Sequence, residues 1–172
     1  MRKILQENSM KAILQACIEV EERVSEIYQQ LVNHPQANEE LREIWQAMAD
    51  DEIRHAQRIR QVGERFEKAG VITCDLTREG AQELMTRANE ILLDVRQGSL
   101  SLDEAISASV ELEDAFLATH LGYAASGNQP DLQTMFKTLA EADREHTVRL
   151  KSYLKRHHDG NGLVPGDEGK TP

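Results

Sequence analysis

The sequence predicts an all-α protein: four long helices packed as a bundle, with a fifth helix in a long crossover between two similar halves. Three observations carry this. Apolar residues recur at three- and four-residue spacing through four long stretches, the period of one helix face. Two of those stretches resemble the other two. The composition is 40% hydrophobic but only 4% aromatic, with four prolines and ten glycines in 172 residues, which suits long helices better than a many-stranded sandwich.

The first helix is expected from about Ser9 to Asn33, ended by "HPQAN". The second starts at Asn38, a good N-cap, and runs to about Ala69, before Gly70. A connecting helix spans roughly Thr77 to Gln97 and is closed by Gly98; Leu84, Ala88, Ile91, Leu92 and Val95 are its packing face. The next begins at Ser101, where "SLDE" forms a capping box with Glu104, and fades at Ser126–Gly127. The last follows "GNQPD" and reaches about His157. One domain over residues 1–157 is expected, with 158–172 a Gly/Pro-rich, disordered tail.

Each long helix carries a core-facing stripe, and each stripe is interrupted by charge. In the first it reads Leu14, Cys17, Glu21, Val24, Tyr28, Leu31; in the second, Leu41, Trp45, Met48, Glu52, His55, Ile59, Val62, Phe66. The third and fourth long helices read Leu102, Ile106, Ser109, Glu113, Phe116, His120, Tyr123 and Leu132, Phe136, Leu139, Asp143, His146, Leu150, Tyr153. The interruptions repeat. "IEVEERV" resembles "VELEDAF", aligning Glu21 with Glu113 (113 − 21 = 92), and "MADDEIRHAQRIR" resembles "LAEADREHTVRLK", aligning Glu52 with Asp143 and His55 with His146 (143 − 52 = 91; 146 − 55 = 91). Internally duplicated helix pairs follow, related by an approximate two-fold axis.

Residues three apart on a helix leave the same face, so Glu52 and His55 project together, as do Asp143 and His146. With Glu21 and Glu113 they bring four carboxylates and two imidazoles to mid-height in one core. Burying even one unpaired charge costs several kcal/mol, and no lysine or arginine lies on a stripe. Two divalent cations would balance the carboxylates. The donor set suits iron or manganese, while zinc needs fewer ligands. A single Glu-x-x-His is ordinarily a solvated pair; four interruptions in register are not explained that way. Tyr28, on the face of Glu21, is placed to hydrogen-bond a ligand carboxylate or to serve as a core tyrosine. His120 holds the equivalent position in the second half. Glu19, Glu111, Asp51, Glu141 and Glu145 lie off the stripes and read as solvated charge, and "RHHDG" (156–160) as an exposed helix end.

The net charge of −10, from 30 acidic and 20 basic residues, argues against non-specific binding to nucleic acid or anionic membranes. Cys17 reads as a small core residue and Cys74 as a loop residue, without zinc spacing. "MRKILQENSM" lacks a signal-peptide core and no run reaches membrane-span length, so a cytoplasmic location is expected.

"AILQACIEVEERVSEIYQQL", "MADDEIRHAQRI" and "SLDEAISASVELEDAFL", with one carboxylate per helix and two carboxylate-x-x-His pairs, resemble the ferritin-like di-iron proteins. The closest branch in wording is the rubrerythrin-like one, lacking a rubredoxin domain. The resemblance covers about residues 9–157 and implies a ferritin-like four-helix bundle. It makes Glu21, Glu52, His55, Glu113, Asp143 and His146 ligands of two iron ions, or of manganese or a mixed pair. It implies an oxidoreductase acting on O2 or hydrogen peroxide, by peroxide reduction or ferrous-iron oxidation. A metal-binding protein without turnover and a helical interaction module with a vestigial site are the alternatives. Three departures stand out. Asp143 replaces the usual glutamate, Phe116 stands where rubrerythrins carry a further carboxylate, and the four cysteines of a rubredoxin-like module are missing. Electrons would therefore come from a separate donor protein. By analogy, a homodimer is expected.

Overall fold

The computed structural model describes residues 9–71 and 75–159, and its architecture is all-α. Five helices follow one another: α1 (Met10–Leu31), α2 (Glu39–Lys68), α3 (Glu79–Gln97), α4 (Leu102–Ser126) and α5 (Pro130–Asp159). These are the expected helices, with ends shifted by a few residues. The tail beyond Asp159 and Cys74 lie outside the described residues.

Local chemistry sets the ends. Ser9 caps α1 by accepting the Ala12 N–H, and Asn38 caps α2 by accepting that of Leu41. Acidic Glu39 and Glu40 open α2 and basic Arg65 and Lys68 close it, each sign matched to the helix dipole. The capping box of Ser101 and Glu104 forms as expected. Pro130 occupies the first position of α5, where a missing N–H costs nothing.

Helix α1 packs chiefly on α2, and α4 on α5, while α2 meets α5 across the bundle. These are the duplicated pairs. Helix α3 lies on α1 and touches α4, burying Ala81, Leu84, Ala88 and Leu92, with Ile91 and Val95 partly covered. Tyr123 pins its start: the phenol accepts the Ala81 N–H and donates to the Thr77 carbonyl, both at 3.1 Å. A Cβ at Gly80 would sit 2.9 Å from Thr119 and 3.2 Å from the Tyr123 hydroxyl, so the close approach of α3 to α4 depends on glycine there. Gly98 ends α3 in the left-handed region (φ 64°).

The stripes face inward. Leu41, Trp45, Met48 and Ile59 of α2 are wholly buried, each contributing about 1.5–3 kcal/mol of transfer free energy. The Trp45 N–H, costly if left unpaired in this core, donates to Ser109 Oγ at 3.1 Å. No helix among the described residues is long and apolar enough to cross a membrane.

Candidate metal centre

The interrupting residues meet inside the bundle. Glu21 and Tyr28 come from α1, Glu52 and His55 from α2, Glu113 and His120 from α4, and Asp143 and His146 from α5. All are buried; the most accessible, His55, is 8% exposed. The apolar stripe on each helix supplies the burial energy that holds them there.

Two triads form, Glu21–Glu52–His55 and Glu52–Glu113–His146, each with one ligand atom per residue within 4.8 Å of the others. Glu52 belongs to both. In the first, His55 Nδ1 is 2.9 Å from Glu52 Oε2 and 3.6 Å from Glu21 Oε2. In the second, His146 Nδ1 is 3.1 Å from Glu113 Oε2 and 3.4 Å from Glu52 Oε1. The duplicated imidazoles face each other with ring centres 6.3 Å apart. Tyr28 donates its hydroxyl to Glu113 Oε1. Asp143 shares this core but stands in neither triad: its Oδ2 accepts from His120 Nδ1 at 2.8 Å.

Both oxygens of Glu21, Oε1 of Glu52 and Oδ1 of Asp143 are buried and accept no hydrogen bond. Carboxylate oxygens so stripped of water require a cation or a donor. Together with the imidazole nitrogens beside them, they fit one or more divalent ions with a taste for oxygen and borderline nitrogen, as iron and manganese have.

Protonated histidines supply a second source of positive charge. Burial pushes all three imidazoles toward neutrality, but neighbouring carboxylates outweigh it. Glu21 and Glu52 lift His55 to about 11, Asp143 and Glu21 lift His120 to about 10, and Glu113 and Glu52 lift His146 to about 11. Burial would raise Glu21, yet the imidazoles of His120 and His55 hold its carboxyl at about 2. Glu113 goes the other way, up to about 7, driven by burial and by the charge of Glu52 against the single imidazolium of His146. The pair His146–Glu113 is thus unevenly matched: His146 has two carboxylates to lean on and Glu113 one imidazolium. Burial, with Glu113 and Glu52 nearby, drives Tyr28 well above its ordinary value, so it stays a donor. The three imidazoles thus stand beside the carboxylates as a source of positive charge that the absence of lysine and arginine from the stripes did not reveal.

Asp51 also departs from expectation. It is half-buried, not free surface charge; its Oδ2 lies 3.2 Å from His146 Nε2 and its other oxygen pairs with Arg54 at the surface. Burial would raise its carboxyl, but His146 and Arg54 bring it below the ordinary range. By holding Nε2–H, Asp51 turns Nδ1 of His146 toward Glu52 and Glu113, the arrangement by which an outer carboxylate orients a metal-binding imidazole. Asp51→Ala is expected to weaken metal binding roughly tenfold without loss of helix content, read by calorimetric Mn(II) titration with circular dichroism as control. No spacing within α2 points to this contact, because its partner His146 comes from α5. Glu19, Glu111, Glu141 and Glu145 are exposed as expected, and Glu111 pairs with Arg87. His157, also exposed, stacks on Tyr153 at 4.0 Å.

Residues 12–96 match the family model described as Rubrerythrin. That match is consistent with a ferritin-like di-iron superfamily member. The matched stretch holds Glu21, Tyr28, Glu52 and His55; Glu113, His120, Asp143 and His146 lie beyond it and rest on the duplication and the geometry. No curated protein and no solved structure gives a significant match to the chain.

Proposed function

We propose that the bundle holds two iron ions, or manganese or a mixed pair, through Glu21, Glu52, His55, Glu113 and His146 with Asp143 nearby. We further propose that the protein is an oxidoreductase reacting with O2 or hydrogen peroxide, by peroxide reduction or ferrous-iron oxidation. The observation that carries this is the pair of buried triads sharing Glu52. Two ferrous ions would supply one electron each, the two that convert one peroxide and two protons to two waters.

The remaining work falls to the chain's own residues. Tyr28 fixes Glu113 through its hydroxyl. His146, Asp51 and Arg54 form a polar path from the core to the surface, along which a proton held at His146 Nε2 can be passed to Asp51. A narrow cavity beneath α3, lined by Cys17, Ala81, Phe116 and Tyr123, reaches Glu21 and His120. It has room for no more than about one water-sized molecule. We also propose a separate donor protein as the source of reducing equivalents for repeated turnover.

Because the imidazoles must lose protons to ligate, metal affinity is expected to rise with pH from 6 to 8, by about tenfold per unit for each proton displaced; titration at three pH values in weak buffer measures both affinity and proton release. The function itself is tested by loading with Fe(II) anaerobically, then adding O2 or peroxide. Ferric absorbance with matching oxidant consumption is expected. Two bound ions with no reaction would instead favour a metal-binding protein without turnover, a reading to which the hold of His120 on Asp143 lends weight.

A further inference from the structure

We propose that His120 is a positioning residue that keeps one oxygen of Asp143 from bridging the metal positions and makes those positions unequal, so that one divalent ion binds much more tightly than the next. This rests on the reading that the core takes two ions.

The duplication that aligns Glu21 with Glu113 also aligns Tyr28 with His120, since 120 − 28 = 92. The counterparts lie against corresponding carboxylates. Tyr28 donates to Glu113, and His120 places Nε2 3.3 Å from Oε1 of Glu21, the counterpart of Glu113. A phenol has one polar atom and can hold one carboxylate. An imidazole has two, on opposite sides of the ring. The second nitrogen of His120, Nδ1, reaches Oδ2 of Asp143 at 2.8 Å.

The effect on Asp143 is specific to that half. Its counterpart Glu52 has one more methylene and offers an oxygen to each triad, whereas Asp143 contributes to neither. The ring that holds it is itself held: Phe116 and Phe136 lie with ring centres 5.4 Å and 5.7 Å from that of His120, which is 2% exposed. One carboxylate is therefore shared between the metal positions where the duplication would provide two. The first ion can draw on Glu52 without competition, while the second finds Oδ2 of its other candidate bridge, Asp143, already held by an imidazole, leaving Oδ1 alone, one oxygen where a bridge needs two.

Anaerobic calorimetric titration with Co(II) tests this. Wild type should bind two ions with dissociation constants at least about tenfold apart, the scale on which outer partners alter metal affinity. His120→Tyr leaves one polar atom, as in the first half, and should narrow that ratio by about tenfold. His120→Phe keeps a ring between Phe116 and Phe136 but no polar atom, and should narrow it likewise if the tyrosine variant does not fold. Two ions of equal affinity in wild type, or an unchanged ratio in a folded variant, would overturn the proposal. Failure of wild type to bind any Co(II) would instead overturn the two-ion reading beneath it.

Discussion

Glu52→Gln is expected to remove metal uptake from both positions at once, the largest effect any single substitution should have. Glu52 is the residue common to the two triads, with Oε2 toward His55 and Oε1 toward His146. An amide of the same shape keeps the packing but loses the charge and, at one of the two positions, the oxygen. Losing a ligand shared by two ions should weaken each by more than the tenfold to hundredfold typical of an outer partner. The measurement is metal per chain after anaerobic loading and gel filtration, with near-native helix content as the control. Glu113→Gln provides the contrast, since Glu113 serves one triad and should cost one ion.

The second large effect concerns the protein without metal, where two glutamates should respond in opposite directions. At pH 8, Glu113→Gln should stabilise the metal-free form and Glu21→Gln should destabilise it. The carboxyl of Glu113 is raised from its ordinary 4.5 to about 7, so its contribution is favourable below 4.5 and is lost as pH climbs through 7. Removing that ionisation should return on the order of 1–3 kcal/mol. Glu21 is lowered to about 2, so its stabilisation is present above 4.5 and lost only as pH falls toward 2. Replacing it leaves His55 and His120 short of a counter-charge. The histidines, raised to about 10–11, contribute fully below 6.5 and lose their contribution as pH rises through those values. The metal-free protein should therefore weaken from pH 6 to 9 while metal affinity grows, and the gap in melting temperature between the two forms should widen. Urea unfolding of both variants, with melting curves at four pH values, decides this. If both Glu-to-Gln changes stabilise equally, the core has no imidazoliums to speak of.

Much of this centre was legible in the sequence because a buried charge in an apolar stripe breaks a pattern that packing otherwise enforces. Glu21, Glu52, Glu113 and Asp143 each announced themselves that way, and the 91- and 92-residue offsets tied them into pairs. What stayed hidden depends on contacts between helices. Asp51 sits beside the stripe rather than on it; its importance comes from α5, which brings His146 Nε2 within 3.2 Å. The position of His120 was readable, but not that its ring spans Asp143 and Glu21, which follows from the shorter reach of aspartate and the aromatic walls around the imidazole. The charge balance was hidden for the same reason. Periodicity places three histidines in a core without saying that each will meet a carboxylate.

The most direct test of the central account is the number of Fe(II) ions retained by the wild-type chain after anaerobic loading and removal of loose metal, determined by elemental analysis beside the Glu52→Gln variant. Two per wild-type chain and essentially none in the variant is the predicted result. A wild type that retains no metal, or a Glu52→Gln variant that retains as much as wild type, would contradict it.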